Sequence, residues 1–195
     1  MSSAEKDTRT RILETTWSLL EAHPGRSLSM SEIAKASGVS RQALYLHFAS
    51  RAELLITTIH YVDKVKGLDQ RLQTVQQSKS GIEMLQSFIN MWGNYMPEVY
   101  GVSKALMMSK NCDEDAEAAW SQITGCLYDV CSEIIQKLDK EHKLSSDWNQ
   151  QSASDFLWTI TSIQNWEQLT MACGWSNDQY ISHITHALIV SLVSD

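Results

Sequence analysis

Residues 29–55 read SMSEIAKASGVSRQALYLHFASRAELL. Ser29-x-x-Glu32 is a capping box, in which the Ser oxygen and the Glu side chain satisfy orphan N–H groups at a helix start. Gly38 stops that helix, because glycine takes the left-handed conformation other residues avoid. Ser40 is a second N-cap, two residues past the stop. Ser50-x-x-Glu53 repeats the box pattern and opens a further helix. Helix, tight turn, short helix and a new helix start describe a helix-turn-helix.

The short helix, residues 41–48, can be read by angle. At about 100° per residue, Leu44 and Phe48 fall on one side and belong to a core. Gln42, Ala43 and Leu46 occupy the opposite side, with Tyr45 and His47 on the rims. A helix laid in a DNA major groove presents its centre to base edges and its rims to the phosphate walls. Leu46 points away from the core and calls for a partner, for which a thymine methyl is suited.

G-V-S-x-x-A-L-Y-x-H-F followed by S-x-x-E-L resembles the DNA-binding signature of the TetR family, the tetracycline-repressor-like bacterial regulators. The resemblance covers about the first third of the chain. Where that family usually has a phosphate-binding Thr or Ser, this chain has Ala43. Gln42 stands where small residues are also common, so it adds a candidate base contact. The candidate DNA-binding set is Ser29, Lys35, Ser40, Arg41, Gln42, Ala43, Tyr45, Leu46, His47 and Arg51. Arg51 sits in the first turn of its helix, where a cation is unfavourable unless an anion offsets it. A DNA phosphate at a helix N-terminus is one such anion, and the resemblance implies the same, since the family usually has Lys there. A plain surface arginine is the alternative.

The chain has 195 residues, enough for one large or two small domains. Two prolines, eight glycines and scarce β-branched alternation favour an all-α fold of about nine helices. No apolar run is long enough for a membrane span, so no membrane contact is expected. The first residues lack the apolar core of a signal peptide, which points to the cytoplasm. The four cysteines, 112, 126, 131 and 173, have no metal-ligand spacing and read as reduced thiols.

The net charge of −7 argues against nucleic acid if taken whole. Residues 1–66, however, carry +2, and residues 67–195 carry −9. The positive charge thus lies with the helix-turn-helix, as a footprint on phosphates requires. A charge of +2 is modest, so dimerisation is expected to add avidity. Two domains follow: residues 1–66 for DNA, and residues 67–195 for effector binding and dimerisation.

Residues 5–23 form the first helix, with Ile12, Leu13, Thr16, Trp17 and Leu20 as its buried stripe. Arg9 and Arg11 near its start are further candidates for backbone phosphate, or solvated charge. Met30, Ile33 and Ala34 turn inward from the positioning helix, and Lys35 faces out. The helix from Ser50 runs to about residue 66. Residues 67–80 are polar and read as a hinge with one extra helical turn. Residues 81–96 form a helix that Pro97 breaks, and 98–110 form another. The acidic run 113–115 opens the next helix, and Lys137, Lys140 and Lys143 close it, matching the macrodipole. Residues 148–172 form the longest helix, ended by Gly174. Ser176-x-x-Gln179 caps the last.

The last two helices are apolar on more than one face: one face serves the domain core and the other calls for a partner, the alternative being helices fully buried inside a monomer. The resemblance implies that they pair with their copies across a two-fold axis. Six of the seven tryptophans lie after residue 90. Trp92, Tyr95, Met96, Met107, Trp120, Trp158 and Trp166 are candidate ligand-binding residues, because Met adapts and Trp offers flat area with one donor. The same set also makes an ordinary core. The effector itself is unknown.

The chain carries no G-x-S-x-G, no Gly-rich phosphate loop and no H-E-x-x-H. His183 and His186 lie one turn apart and could share a metal, although interface histidines fit as well; no metal and no cofactor is expected. Cys126 and Cys131 do not share a helix face, so a redox pair ranks low. The sequence therefore points to a ligand-responsive regulator binding double-stranded operator DNA as a homodimer. The family implies repression. A helical protein-interaction module, or an activator without effector, is the alternative.

Overall fold

Three of the N-terminal helices begin where the sequence supplies a serine cap, at Ser29, Ser40 and Ser50. The computed structural model describes residues 3–194, and side chains from Thr8 onward. Helix α1 spans Ser3–Ala22, α2 Met30–Ala36, α3 Arg41–His47 and α4 Arg51–Val65. Ile12, Leu13, Leu20, Ile33, Leu44, Phe48, Leu54, Leu55, Ile59 and Val62 are all buried, and they form one core under these four helices.

Beyond them lie α5 (Leu68–Gln76), α6 (Gly81–Ser109), α7 (Glu114–Lys140), α8 (Gln150–Ile160), α9 (Ile163–Glu167), a π-helical turn (Gln168–Ala172) and α10 (Asn177–Leu192). Among the described residues there is no strand, only an isolated antiparallel bridge between Leu144 and Val193. The all-α class expected from the sequence is the class observed.

The chain divides into two compact units. The first runs through Lys66 and takes in Val99–Ile123, the end of α6 and the start of α7. The second comprises Gly67–Glu98 and Thr124–Asp195. In the first unit Gly101 packs against Glu21, and Gly25 against Met108. In the second, Leu85, Phe88, Ile89, Ile134, Leu138, Leu157, Tyr180, Leu188 and Leu192 are buried. There α6 and α10 approach closely at Gly93, where a Cβ would lie 2.4 Å from Ile181 Cγ1. Only a residue without a side chain fits at that crossing.

Three expected boundaries differ. Pro97 does not end a helix; it lies inside α6. Met96, Val99 and Val102 on either side of it are buried, and that packing outweighs the roughly 3 kcal/mol a helical proline costs. The hinge of residues 67–80 contains the nine-residue α5, with Val75 buried beneath it. The long helix 148–172 is three pieces. Thr161 bonds back from Oγ1 to the Leu157 carbonyl at 2.8 Å, and Ser162 restarts the chain as an N-cap accepting the Asn165 N–H at 3.3 Å. Such side-chain bonds compete with the helical ladder.

Candidate nucleic-acid interface

The geometry of the helix-turn-helix is built from local hydrogen bonds. Ser29 Oγ accepts the Glu32 N–H at 3.2 Å, and Glu32 Oε2 accepts the Ser29 N–H at 2.9 Å. Those bonds, the backbone one foremost, hold the Glu32 carboxyl below its usual range. Ser37 ends α2, and Gly38 at φ +68° makes the turn. Ser40 Oγ then accepts the Ala43 N–H at 3.0 Å and starts α3. Ser50 accepts the Glu53 N–H at 3.1 Å, whereas the Glu53 carboxylate reaches one residue further back, to the Ala49 N–H at 2.7 Å.

Leu44 on α3 and Phe48, the residue that ends it, are fully buried. Arg41, Gln42, Tyr45 and Leu46 are exposed, and Ala43 and His47 are half-buried. Leu46 is 87% exposed, an unusual state for leucine on a folded helix. The Arg41 guanidinium lies over the Tyr45 ring at 5.7 Å. Lys35 is exposed in the last turn of α2. Nine of the ten candidate contacts thus lie on, or directly before, the two helices of the motif. Ser29 and Ser40 give their oxygens to caps. Arg9 stacks over the Phe48 ring at 4.7 Å, and Arg11 Nε donates to the Ser37 carbonyl at 3.1 Å; both serve the fold of this motif.

Arg51, the tenth, is turned elsewhere. Its side chain is 18% exposed, and its guanidinium pairs with both carboxylate oxygens of Asp113, the Oδ2 bond measuring 2.6 Å. Nε donates to Asp115 at 2.8 Å, and Nη1 also reaches Ser27 Oγ at 3.0 Å and the Leu28 carbonyl at 3.2 Å. Burial alone would raise the Asp113 pKa. Hydrogen bonds from Arg51, Ser27 and the Ala116 N–H overcome it and hold the carboxyl at about 2. The Asp113 hydrogen bond likewise raises the Arg51 pKa. The anion that the sequence requires beside Arg51 is supplied here within the chain, by Asp113 and Asp115. Sequence reading missed Ser27, Asp113 and Asp115. The acidic run was visible, but nothing in it told of a partner 62 residues away.

The candidate ligand residues divide between the units. Trp92, Tyr95, Met96, Trp158 and Trp166 fall in the second, Met107 and Trp120 in the first. Tyr95, Met96 and Trp166 are buried, and Trp92 is half-buried. The Trp92 ring lies 6.1 Å from Phe88 and 6.4 Å from Tyr95, with its buried Nε1 left without an acceptor. Tyr180 is also buried with an unpartnered hydroxyl. Trp158 Nε1 donates to the Thr124 carbonyl at 3.1 Å. In the first unit Met107 is half-buried, and Lys110 lies over the Trp120 ring at 5.7 Å. Met171 and Val190, on the π-helical turn and α10, are exposed at 56% and 68%. Cys131 is buried beside Thr161, and burial pushes its thiol up to about 12, which leaves little thiolate for redox chemistry.

Residues 12–57 match the family model described as bacterial regulatory proteins, tetR family. Over 82 residues the chain is 34% identical to the nucleoid occlusion factor SlmA of Marinomonas sp., covering 42% of this chain and 41% of that one. Over 103 residues it is 32% identical to the HTH-type transcriptional regulator EthR of Mycobacterium tuberculosis, covering 51% and 45%. Each match spans less than half of the relative's length. In fold, the chain is similar to NalD of Pseudomonas aeruginosa, the secondary repressor of the MexAB-OprM multidrug efflux pump. The TM-score is 0.74 at 19% identity, covering 99% of both chains.

Proposed function

We propose that the chain is a transcriptional regulator of the tetR kind, which binds operator DNA as a homodimer and releases it when a small effector binds the second unit; the family match over residues 12–57 and the likeness to EthR support this reading. One observation carries the reading. Helix α3 buries Leu44 and Phe48 and leaves Gln42, Tyr45 and Leu46 facing outward behind a Gly38 turn. In this reading Gln42 takes a base edge and Leu46 a thymine methyl. Lys35, Ser40, Arg41, Ala43, Tyr45 and His47 line the phosphate walls, with Ser29 at the lead-in. Repression is the direction proposed, by likeness to the family.

The dimer forms through the C-terminal helices, whose exposed Met171 and Val190 call for cover. The effector site lies near Trp92, Tyr95 and Met96, with Trp158 and Trp166 as further candidates. The unpartnered Trp92 Nε1 supports this placement, since a buried donor without an acceptor costs about 1–3 kcal/mol. Met107 and Trp120, in the first unit, are left out of the proposed site. Among the described residues no helix is long and apolar enough to cross a membrane, and the proposed place of work is the cytoplasm, beside the operator. An effector acts only through its differential affinity for the DNA-competent conformation.

The test is selection of duplexes from a random pool by the purified chain, followed by titration of the recovered sequence. Enrichment of one inverted repeat is expected, with half-sites a helical turn or more apart. A recovered pool without any common sequence would overturn the reading.

A further inference from the structure

We propose that Arg51 is a positioning residue, and that its pairing with Asp113 is the joint by which the first turn of α7 holds the recognition helix in register. The inference rests on the DNA-binding reading above and adds to it the residues that fix the reader in place.

Three observations carry it. First, four of the five guanidinium N–H groups are engaged: Nη1 shares its two hydrogens among Asp113, Ser27 Oγ and the Leu28 carbonyl, Nη2 gives one to Asp113, and Nε gives its own to Asp115. An arginine has five N–H groups, so a single Nη2 hydrogen remains for a phosphate. Second, those partners come from three places in the chain. Ser27 and Leu28 lead into Ser29, the cap of α2; Arg51 opens α4; Asp113 caps α7 through the Ala116 N–H at 3.2 Å. One side chain thus ties both ends of the helix-turn-helix to α7. Third, the joint is short of the reader by very little chain. Only Phe48, Ala49 and Ser50 separate α3 from Arg51, with Phe48 fully buried and the Ala49 N–H held by Glu53. A displacement of the first turn of α7 is therefore carried to α3 with almost no slack. All these residues belong to the first unit, while α7 continues past Ile123 into the second. A bidentate arginine–carboxylate pair fixes angle as well as distance, which suits a joint.

Asp113→Asn is the informative variant, because the amide oxygen still accepts the Ala116 N–H, while the amide nitrogen, a donor, accepts neither Arg51 Nη1 nor the Ser27 hydroxyl, and the charge pairing is lost. With the duplex recovered by selection, Asp113→Asn and Arg51→Ala are each expected to lose tenfold or more in affinity, the double variant no more than either alone. Binding to random duplex and the salt slope should stay as in the unaltered chain. Hydrogen exchange on the DNA-free protein gives a second measurement: amides of α3 should lose protection in Asp113→Asn while those in the middle of α1 keep theirs. A salt slope reduced by about one in Arg51→Ala, with Asp113→Asn binding as well as before, would make Arg51 a phosphate ligand and overturn the joint. Unchanged exchange in α3 would overturn it too. If the unaltered chain selects no duplex, the DNA reading fails by itself, and exchange alone decides the joint.

Discussion

Helix α3 and the Arg51 cluster lie three residues apart and are opposite in kind. On α3 two outward side chains lie open to solvent: Leu46 is 87% exposed, and Gln42 is exposed beside it. At Arg51 four of the five guanidinium N–H groups are matched inside the same unit, and Asp113 keeps only 3% of its side chain exposed. An apolar residue held in water signals a partner from outside. A charge held away from water, with its bonds made inside the chain, signals internal structure. Position on the motif suggests DNA for both, and only their surroundings separate them.

The largest effect expected from breaking this contrast lies behind α3. Phe48→Ala removes a fully buried ring on which Arg9 also stacks, and should cost about 3–5 kcal/mol of stability. Urea denaturation followed by circular dichroism measures it. A loss below about 1 kcal/mol would mean that the reader is not anchored through this core.

The contrast in surroundings also explains what could be read from the chain. Ser29, Gly38 and Ser40 act on neighbours within four residues, so their roles are written in local spacing, and the structure places them as caps and turn. Pro97 and Ser162 are also local signals, but packing decided one way at each. At Pro97 the buried residues on both sides kept α6 whole. At Ser162 a side-chain cap won over an apolar run that looked continuous. The Arg51–Asp113 pair spans 62 residues and leaves no periodic trace; the macrodipole argument asked for an anion and could not say which. For the aromatic residues, helical spacing gives a face but not a neighbour, which is why Met107 and Trp120 fall in a different unit from Trp92.

Acid sharpens the comparison next. The Asp113 carboxyl titrates at about 2 in the folded chain against 3.8 ordinarily. A depressed carboxyl contributes stability above its unfolded value and loses it as pH falls through the folded one. The contribution, about 2 kcal/mol, should be complete at pH 7 and fade from about pH 5 downward. Melting temperatures of the unaltered chain and Asp113→Asn should therefore differ at neutral pH and converge toward pH 2. A gap constant with pH would detach Asp113 from the ion pair. Gln42, Ala43 and Leu46 add nothing to this titration, since none of them carries a charge.

Gln42→Ala tests the reader without touching the fold. On the selected duplex it should cost about 1–3 kcal/mol, on random duplex almost nothing. Equal losses on both would place Gln42 on the backbone, and the melting temperature should not change in either case.

The smallest effect is the most specific. Leu46 is too exposed to support the core, so Leu46→Ala should leave stability within about 0.5 kcal/mol. If its side chain covers a thymine methyl, the loss in binding should be near that of a buried methylene or two, about 1 kcal/mol. The methyl can be removed from the other side, by synthesising the selected duplex with uracil at single thymine positions. One such position should weaken the unaltered chain by that same amount and leave Leu46→Ala indifferent, because the contact is lost once and cannot be lost twice. Should every uracil substitution weaken both proteins alike, Leu46 faces no methyl. Its exposure would then belong with that of Met171 and Val190, surfaces waiting for protein and not for DNA.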